Sequence, residues 1–321
     1  MKTRISRREF LKVSAQGVAV AGFSGLAGHG CTSLAKASGF SEDKDPSLWV
    51  TSQIEHFTLT SPLNTLNIQT GEKAFDKPIV GFSRGDDPIF RQYKKIIGPY
   101  HWTPLELFHL TFPDVPVRDD ELTVISWVHP ITESIRSDLR KKREIPSEKW
   151  VRNRLYGEEL NNAQRKYLAD VLTASGHQAI APTLSPKYKA TFWAPWSERH
   201  AAYVCGLGTF GLCDGLITPR GKAIRLGSVV AKIQIEPTLR PYDNHHAYCL
   251  HYAKGTCGMC MKRCPAGAIT DSGHDKMKCY IQKTSTQEYA KNKLHLTGED
   301  AYGCGFCQTG VPCESEIPVK S

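Results

Sequence analysis

Long apolar runs are scarce in this sequence. Beyond the N-terminal segment no stretch approaches the roughly 18 uninterrupted apolar residues of a membrane helix, which excludes a second span. The 12 histidines form no metal-binding tract, and no internal repeat exists beyond a likeness between two cysteine clusters. A concentrated basic stripe is missing too. The formal net charge is +9, but Lys2, Arg4, Arg7, Arg8, Lys12 and Lys36 less Glu9 place five of those charges in residues 1–37. The remainder is a weak footprint for nucleic acid, so no nucleic-acid partner is expected. Hydrophobic residues at 40% and charged residues at 23% exclude coiled-coil, collagen-like and wholly disordered classes. The 321 residues suffice for one large domain or two modest ones. Cysteine is what the chain has in quantity: 11 residues, most of them after Tyr248.

Residues 1–37 read as a targeting segment. Ser6-Arg7-Arg8-Glu9-Phe10-Leu11-Lys12 precedes an uncharged, mildly apolar run over 13–31. The pattern resembles a twin-arginine export signal, with Ala35-Lys36-Ala37 as a cleavage candidate; lipidation at Cys31 is the alternative, on a poor lipobox. The expected location is the periplasm or the outer face of the cytoplasmic membrane. Export of an already folded chain is useful when a cofactor is inserted first, so the later cysteines need not be disulfides.

The mature chain divides into a polar leader over 38–77, a mixed domain over 78–240 and a cysteine-rich tail over 241–321. Asp86 or Asp87 caps a helix over 88–97 with Pro88 in its first turn, and Thr103-Pro104 starts another. Residues 122–128 are β-branched and apolar, an interior strand. A helix opens at Pro146-Ser147, a further helix runs over 162–175 to a Gly176 cap, and 178–181 returns as a strand. Ser197 begins a helix, and 224–226 and 229–235 are two short strands. The class is α+β.

The tail spaces its cysteines as Cys249-x7-Cys257-x2-Cys260-x3-Cys264-Pro265, then Cys279, then Cys304-x2-Cys307-x5-Cys313. Cys-x2-Cys-x3-Cys-Pro belongs to ferredoxin-like runs, in which the cysteine before proline serves the neighbouring cluster. The expectation is two [4Fe–4S] clusters, one on Cys249, Cys257, Cys260 and Cys313, the other on Cys264, Cys279, Cys304 and Cys307. Structural zinc and a disulfide framework fit this spacing less well.

The segment 198–230, with Glu198-Arg199, Gly206-Leu207-Gly208, Leu216-Ile217-Thr218-Pro219 and Arg225-Leu226-Gly227, resembles the cobalamin-binding region shared by reductive dehalogenases and epoxyqueuosine reductases. The resemblance covers about residues 78–318. It implies a nitroreductase-like α/β domain holding a corrinoid, followed by a ferredoxin-like double-cluster domain. Gly206, Gly208 and Gly211 would permit close approach of a flat ligand. Thr218, Arg220 and Arg225 would supply polar contacts to cobalamin. Phe192, Trp193, Trp196 and Tyr203 would line the substrate pocket, with Tyr188 as proton donor beside Lys187 and Lys189.

Three departures qualify the resemblance. Lys254 stands where the first cysteine of the run is usual, the 307–313 interval is long, and Phe192 stands where epoxyqueuosine reductases carry an acidic proton donor. With export, the last departure favours the dehalogenase side. The expected function is an exported corrinoid-dependent reductase that removes halide from an organohalide. Its electrons would come from a low-potential donor, directly or through a membrane anchor protein. The alternatives are a non-enzymatic exported iron–sulfur electron carrier and a corrinoid reductase for an unhalogenated small molecule.

Overall fold

Asp45, whose carboxylate accepts from Ser47 N, and Pro46 in the first turn start helix α1 (Pro46–Thr60). The computed structural model describes residues 45–190 and 193–319. The export signal, with Arg7, Arg8 and Cys31, therefore lies outside the described residues, as does Phe192. Helix α1 falls within the segment read as a polar leader, yet Trp49, Val50 and Ile54 are buried in the core.

Strand β1 (Ile79–Arg84) follows, then α2 (Pro88–Ile96), capped by Asp87, and α3 (Pro104–Thr111). The start of α3 is a reciprocal capping box: Thr103 Oγ1 accepts from Glu106 N at 3.3 Å and Glu106 Oε2 from Thr103 N at 2.9 Å. Strand β2 (Thr123–Pro130) is buried throughout. After α4 (Glu133–Arg140) comes α5 (Glu148–Ala174), one helix of 27 residues capped by Ser147 where the sequence suggested two. Then come β3 (Ala179–Ile180), α6 (Glu198–Val204), the pair β4 (Thr209–Phe210) and β5 (Leu216–Ile217), and β6 (Ile224–Ala231). The tail holds α7 (Leu250–Lys254), α8 (Met259–Arg263), the small hairpin β7 (Ile269–Thr270) and β8 (Gly273–His274), and α9 (Lys276–Leu294).

The main sheet is antiparallel in the order β1-β2-β6-β3. Side-chain alternation sorts it into two faces. Val124, Val128, Leu226 and Val230 point into a core shared with Phe90, Tyr93, Leu107, Phe108 and the small residues of α6. Ile125, Trp127, Val229 and Ala231 point the other way, onto α1 and α5. The result is a sheet with helices on both faces, which bears out the α+β class. β3 reaches only Val230 and Ala231, so the outer edge of β6 is free of strand pairing at 224–229. No helix among the described residues is long and apolar enough to cross a membrane.

The double-cluster half of the expected fold is corrected. Among the described residues, no group of three or more His, Cys, Asp or Glu side chains is placed to hold a metal ion. The thiols do gather in a buried cluster, but they are engaged with one another and with residues from the front of the chain.

Candidate functional site

The 3.6-residue period places Arg154, Glu158, Asn161 and Arg165 along one stripe of α5, and that stripe faces β6. Where β3 stops, the Leu226 carbonyl takes over the free edge. It accepts from Asn161 Nδ2 at 2.8 Å and from Arg165 Nη2 at 3.1 Å. Through this gap Arg165, with a side chain 3% exposed, joins the two faces of the sheet: its Nη1 lies 2.7 Å from Glu158 Oε1 and its Nη2 3.1 Å from Glu198 Oε1. Glu158 also pairs with Arg154 at 3.1 Å and with Arg225 at 3.6 Å. Arg154 continues outward to Tyr302 Oη at 2.8 Å and to the Asp300 carboxylate. On the α6 side, Ser228 Oγ donates to Glu198 Oε2 and accepts from Trp196 Nε1 at 3.0 Å.

The two carboxyls of this network titrate in opposite senses. Burial pushes Glu158 up, but Arg225, Arg165 and Arg154 outweigh it and hold the group down at about 2. Burial pushes Glu198 up as well, and there Arg165 and Ser228 do not offset it. Glu198 Oε1 has no hydrogen bond despite its ion-pair distance to Arg165, and Arg165 Nε and Arg225 Nε are likewise unbonded. Burial, then Arg154, lowers Arg225 to about 10. His129, opposite Arg225 across the β2–β6 ladder, is fully buried with both ring nitrogens unbonded, and burial holds it near 3. The arrangement pairs a carboxyl held low, Glu158, with a carboxyl held high, Glu198. Separating two acids in this way assigns acid and base roles.

The residues singled out from sequence fall into several places. Arg225 belongs to the network, and Trp196 touches it through Ser228, though Trp196 is a core residue stacked between Phe90 and His101. Tyr188 lies half-buried against Trp102; burial first and the Glu198 charge second raise its phenol. Tyr203 tilts against Phe210 and Tyr242, and Trp193 is exposed near Tyr100. The three glycines pack against their own chain. Gly206 has φ +77°, and a Cβ at Gly208 would come within 2.2 Å of the Ile217 carbonyl, while one at Gly211 would meet Ile217 Cδ1 at 3.3 Å. Thr218 is buried in a turn, its hydroxyl donating to Gly221 O at 2.8 Å, and Arg220 lies 3.8 Å from Asp76 near the surface.

The cysteine tail organises differently. Cys249, Cys257, Cys260 and Cys313 border one cavity with Leu212 and Lys222, but its volume is about 20 Å³, space for about one water. The Cys260 and Cys307 thiols instead hydrogen-bond to Cys213, lowering it, and buried Lys222 donates to Cys213 Sγ at 3.2 Å. Cys264 Sγ accepts from Ala268 N at 3.3 Å, and Cys279 hydrogen-bonds His274. Cys304 packs half-buried beside Phe306. These engagements are the physical reason that the expected four-thiolate sets do not form among the described residues, and the two [4Fe–4S] clusters are set aside with them.

No family model matches the chain. Among curated proteins it is similar to epoxyqueuosine reductases. One from Staphylococcus aureus is 31% identical over 119 residues, covering 36% of this chain and 29% of that protein. Another, from Bacillus anthracis, is 29% identical over 119 residues with the same coverage. One from Gloeobacter violaceus is 30% identical over 124 residues, covering 37% of this chain and 36% of that protein. The chain thus spans about a third of the length of the curated relatives it matches. Solved structures include an epoxyqueuosine reductase from Bacillus subtilis (TM-score 0.43, 18% identity, 77% of this chain and 66% of that one). A catabolic reductive dehalogenase has a TM-score of 0.46 at 13% identity, over 85% of this chain and 38% of that one. Neither likeness is close enough to carry an argument. The sequence similarity favours the epoxyqueuosine reductase side of the superfamily and overturns the expected dehalogenase assignment. The iron–sulfur-fed route to halide release falls with the missing metal-holding groups among the described residues, and so does the iron–sulfur carrier alternative. What remains is similarity, over about a third of the chain, to a family of reductases.

Neither Arg165 nor Glu198 was a candidate from sequence. The available signal was the Arg154, Glu158, Arg165 periodicity, three charged residues on a face that an amphipathic helix would fill with apolar ones.

Proposed function

We propose that this chain is a reductase acting on a small oxygenated molecule, with an epoxide as the reacting group and electrons drawn from a low-potential donor. The similarity to epoxyqueuosine reductases supports the reaction class. The observation that carries the chemistry is Glu198, a buried carboxyl beside Ser228 and Arg165 whose proton burial holds more tightly than usual. Reductive removal of an epoxide oxygen as water consumes two electrons and two protons. Glu198 delivers one proton and is reprotonated from solvent, which supplies the other; the donor supplies both electrons. Tyr188, its phenol raised chiefly by burial, stays neutral and orients the substrate oxygen. The Arg7-Arg8 leader supports export by the twin-arginine route, with a small molecule rather than a nucleic acid as substrate.

The test is anaerobic turnover of an epoxide panel with reduced methyl viologen, following donor oxidation and product mass. Epoxide-dependent oxidation that falls at least tenfold in Glu198→Gln is expected. A folded wild-type protein that oxidises no donor with any epoxide would overturn the reading.

A further inference from the structure

Helix α9 carries five lysines and a single acidic residue, Glu288, which makes it the most basic element of the tail. Its first turns leave Met277 43%, Tyr280 43% and Ile281 60% exposed, three large apolar side chains on adjoining positions of one face. Lys276 and Lys278 flank this patch, both exposed, and neither has an ion pair among the described residues. Behind it, Lys283 Nζ sits 5.1 Å from the Tyr280 ring centroid and 4.7 Å from that of Tyr302. Tyr302 in turn holds Arg154 of the buried network. The patch therefore lies over the outer end of the charged chain that leads to Glu158 and Glu198.

We infer that this face of α9 is the docking surface for an acidic electron-transfer protein. The inference rests on the proposed reductase reading, which requires an external donor. A small apolar centre rimmed by unpaired lysines has the anatomy of a transient interface, in which charge steers encounter and a few buried side chains fix register. A lipid surface would need the apolar stripe to continue along the helix. Here the next solvent-facing positions are Ser285, Gln287 and Glu288. The occupant is accordingly a protein with a negative face.

The experiment measures binding of the whole chain to two acidic probes, a flavodoxin and a plant-type ferredoxin, by titration calorimetry at low and high salt. Binding that weakens at least tenfold with salt is expected, and at least tenfold again in the double variant Lys276→Glu, Lys278→Glu. Ile281→Ser should weaken it several-fold with the salt dependence retained. Absence of binding to both probes would overturn the inference, and so would binding indifferent to the charge reversal. Association with phosphatidylglycerol vesicles, lost in the same variant while neither probe binds, would overturn it in favour of a membrane. Reduced methyl viologen needs no docking surface, which separates the two readings. Binding as expected with no epoxide reduction from either donor would sink the reductase reading and leave the surface standing.

Discussion

Along α5 and β6 each buried charge has an opposite charge within 4.0 Å, whereas in the thiol cluster that the cysteine tail forms with upstream residues the buried ammonium of Lys222 meets sulfur. The first interior is ordered by two regular periods, a helical stripe set against a strand edge. The second is assembled from irregular segments around thiols that can gain or lose protons. Ion pairs held by regular elements resist rearrangement, because removing either partner strands a charge in a low dielectric. A thiolate deprived of its ammonium can simply take up a proton. The network should therefore respond to mutation as a structural keystone and the tail as an adjustable one.

The largest effect is expected at Arg165. Arg165→Met leaves Glu158 and Glu198 facing each other without their shared cation, and should cost about 3–5 kcal/mol in denaturant unfolding. A loss below about 1 kcal/mol would erase the distinction between the two interiors.

Acid should attack the front body next. Burial holds His129 near 3, His101 near 4 and His200 near 3, all below the ordinary imidazole range. A histidine whose folded pKa is depressed contributes stability that is full above the unfolded value near 6.5 and is lost as pH falls toward the folded value. Each such residue removes at most about 1.4 kcal/mol per pH unit across that window. His101, wedged among Tyr93, Trp196 and His200 with both nitrogens unbonded, is the cleanest site to probe. His101→Phe should flatten the fall in stability between pH 6.5 and about 4. An unchanged slope would place the acid sensitivity elsewhere.

In the thiol cluster, Lys222→Met should cost less, about 1–3 kcal/mol, because Cys213 escapes by protonation. The sharper readout is thiolate absorbance: Cys213, held low by the Cys260 and Cys307 thiols and by Lys222, should titrate at higher pH in the variant. If the thiolate signal does not move, the lysine is a packing residue.

Much of the framework was legible because local chemistry and tertiary structure agree. Asp87, Thr103 and Ser147 each cap the helix that the sequence promised. The single 27-residue α5 was not, because Gly157 and the polar run around it look like a break; the glycine is there because a Cβ would lie 2.7 Å from the Phe75 ring. Likewise Gly227 and Ser228 suggested two strands, and it is the continuous ladder with β2 that carries β6 through them. The charged site stayed hidden for a different reason. The stripe on α5 acquires meaning only once β3 is known to stop at Ile180, opening the β6 edge to Arg165. Cysteine spacing likewise indicated that thiols would meet, but Cys213 and Lys222 enter from well upstream, where no spacing rule reaches.

The smallest stability effect is expected at Glu198, and it separates a proton-holding role from a structural one. Burial raises its folded pKa above the ordinary carboxyl value. A carboxyl so raised contributes stability that is complete below its unfolded pKa and declines as pH rises through the folded one. Gln has the same shape and cannot ionise, so Glu198→Gln should change stability by less than about 1 kcal/mol and should lessen the decline as pH rises above the ordinary carboxyl range. Arg165 keeps Glu158 as its partner, so no cation is stranded. Turnover should fall at least tenfold in the same variant, with substrate affinity nearly unchanged, because only the proton is lost. A loss of 3 kcal/mol or more, about what Arg165→Met should cost, would make Glu198 a member of the ion-pair keystone instead, and the proton would have to come from another group.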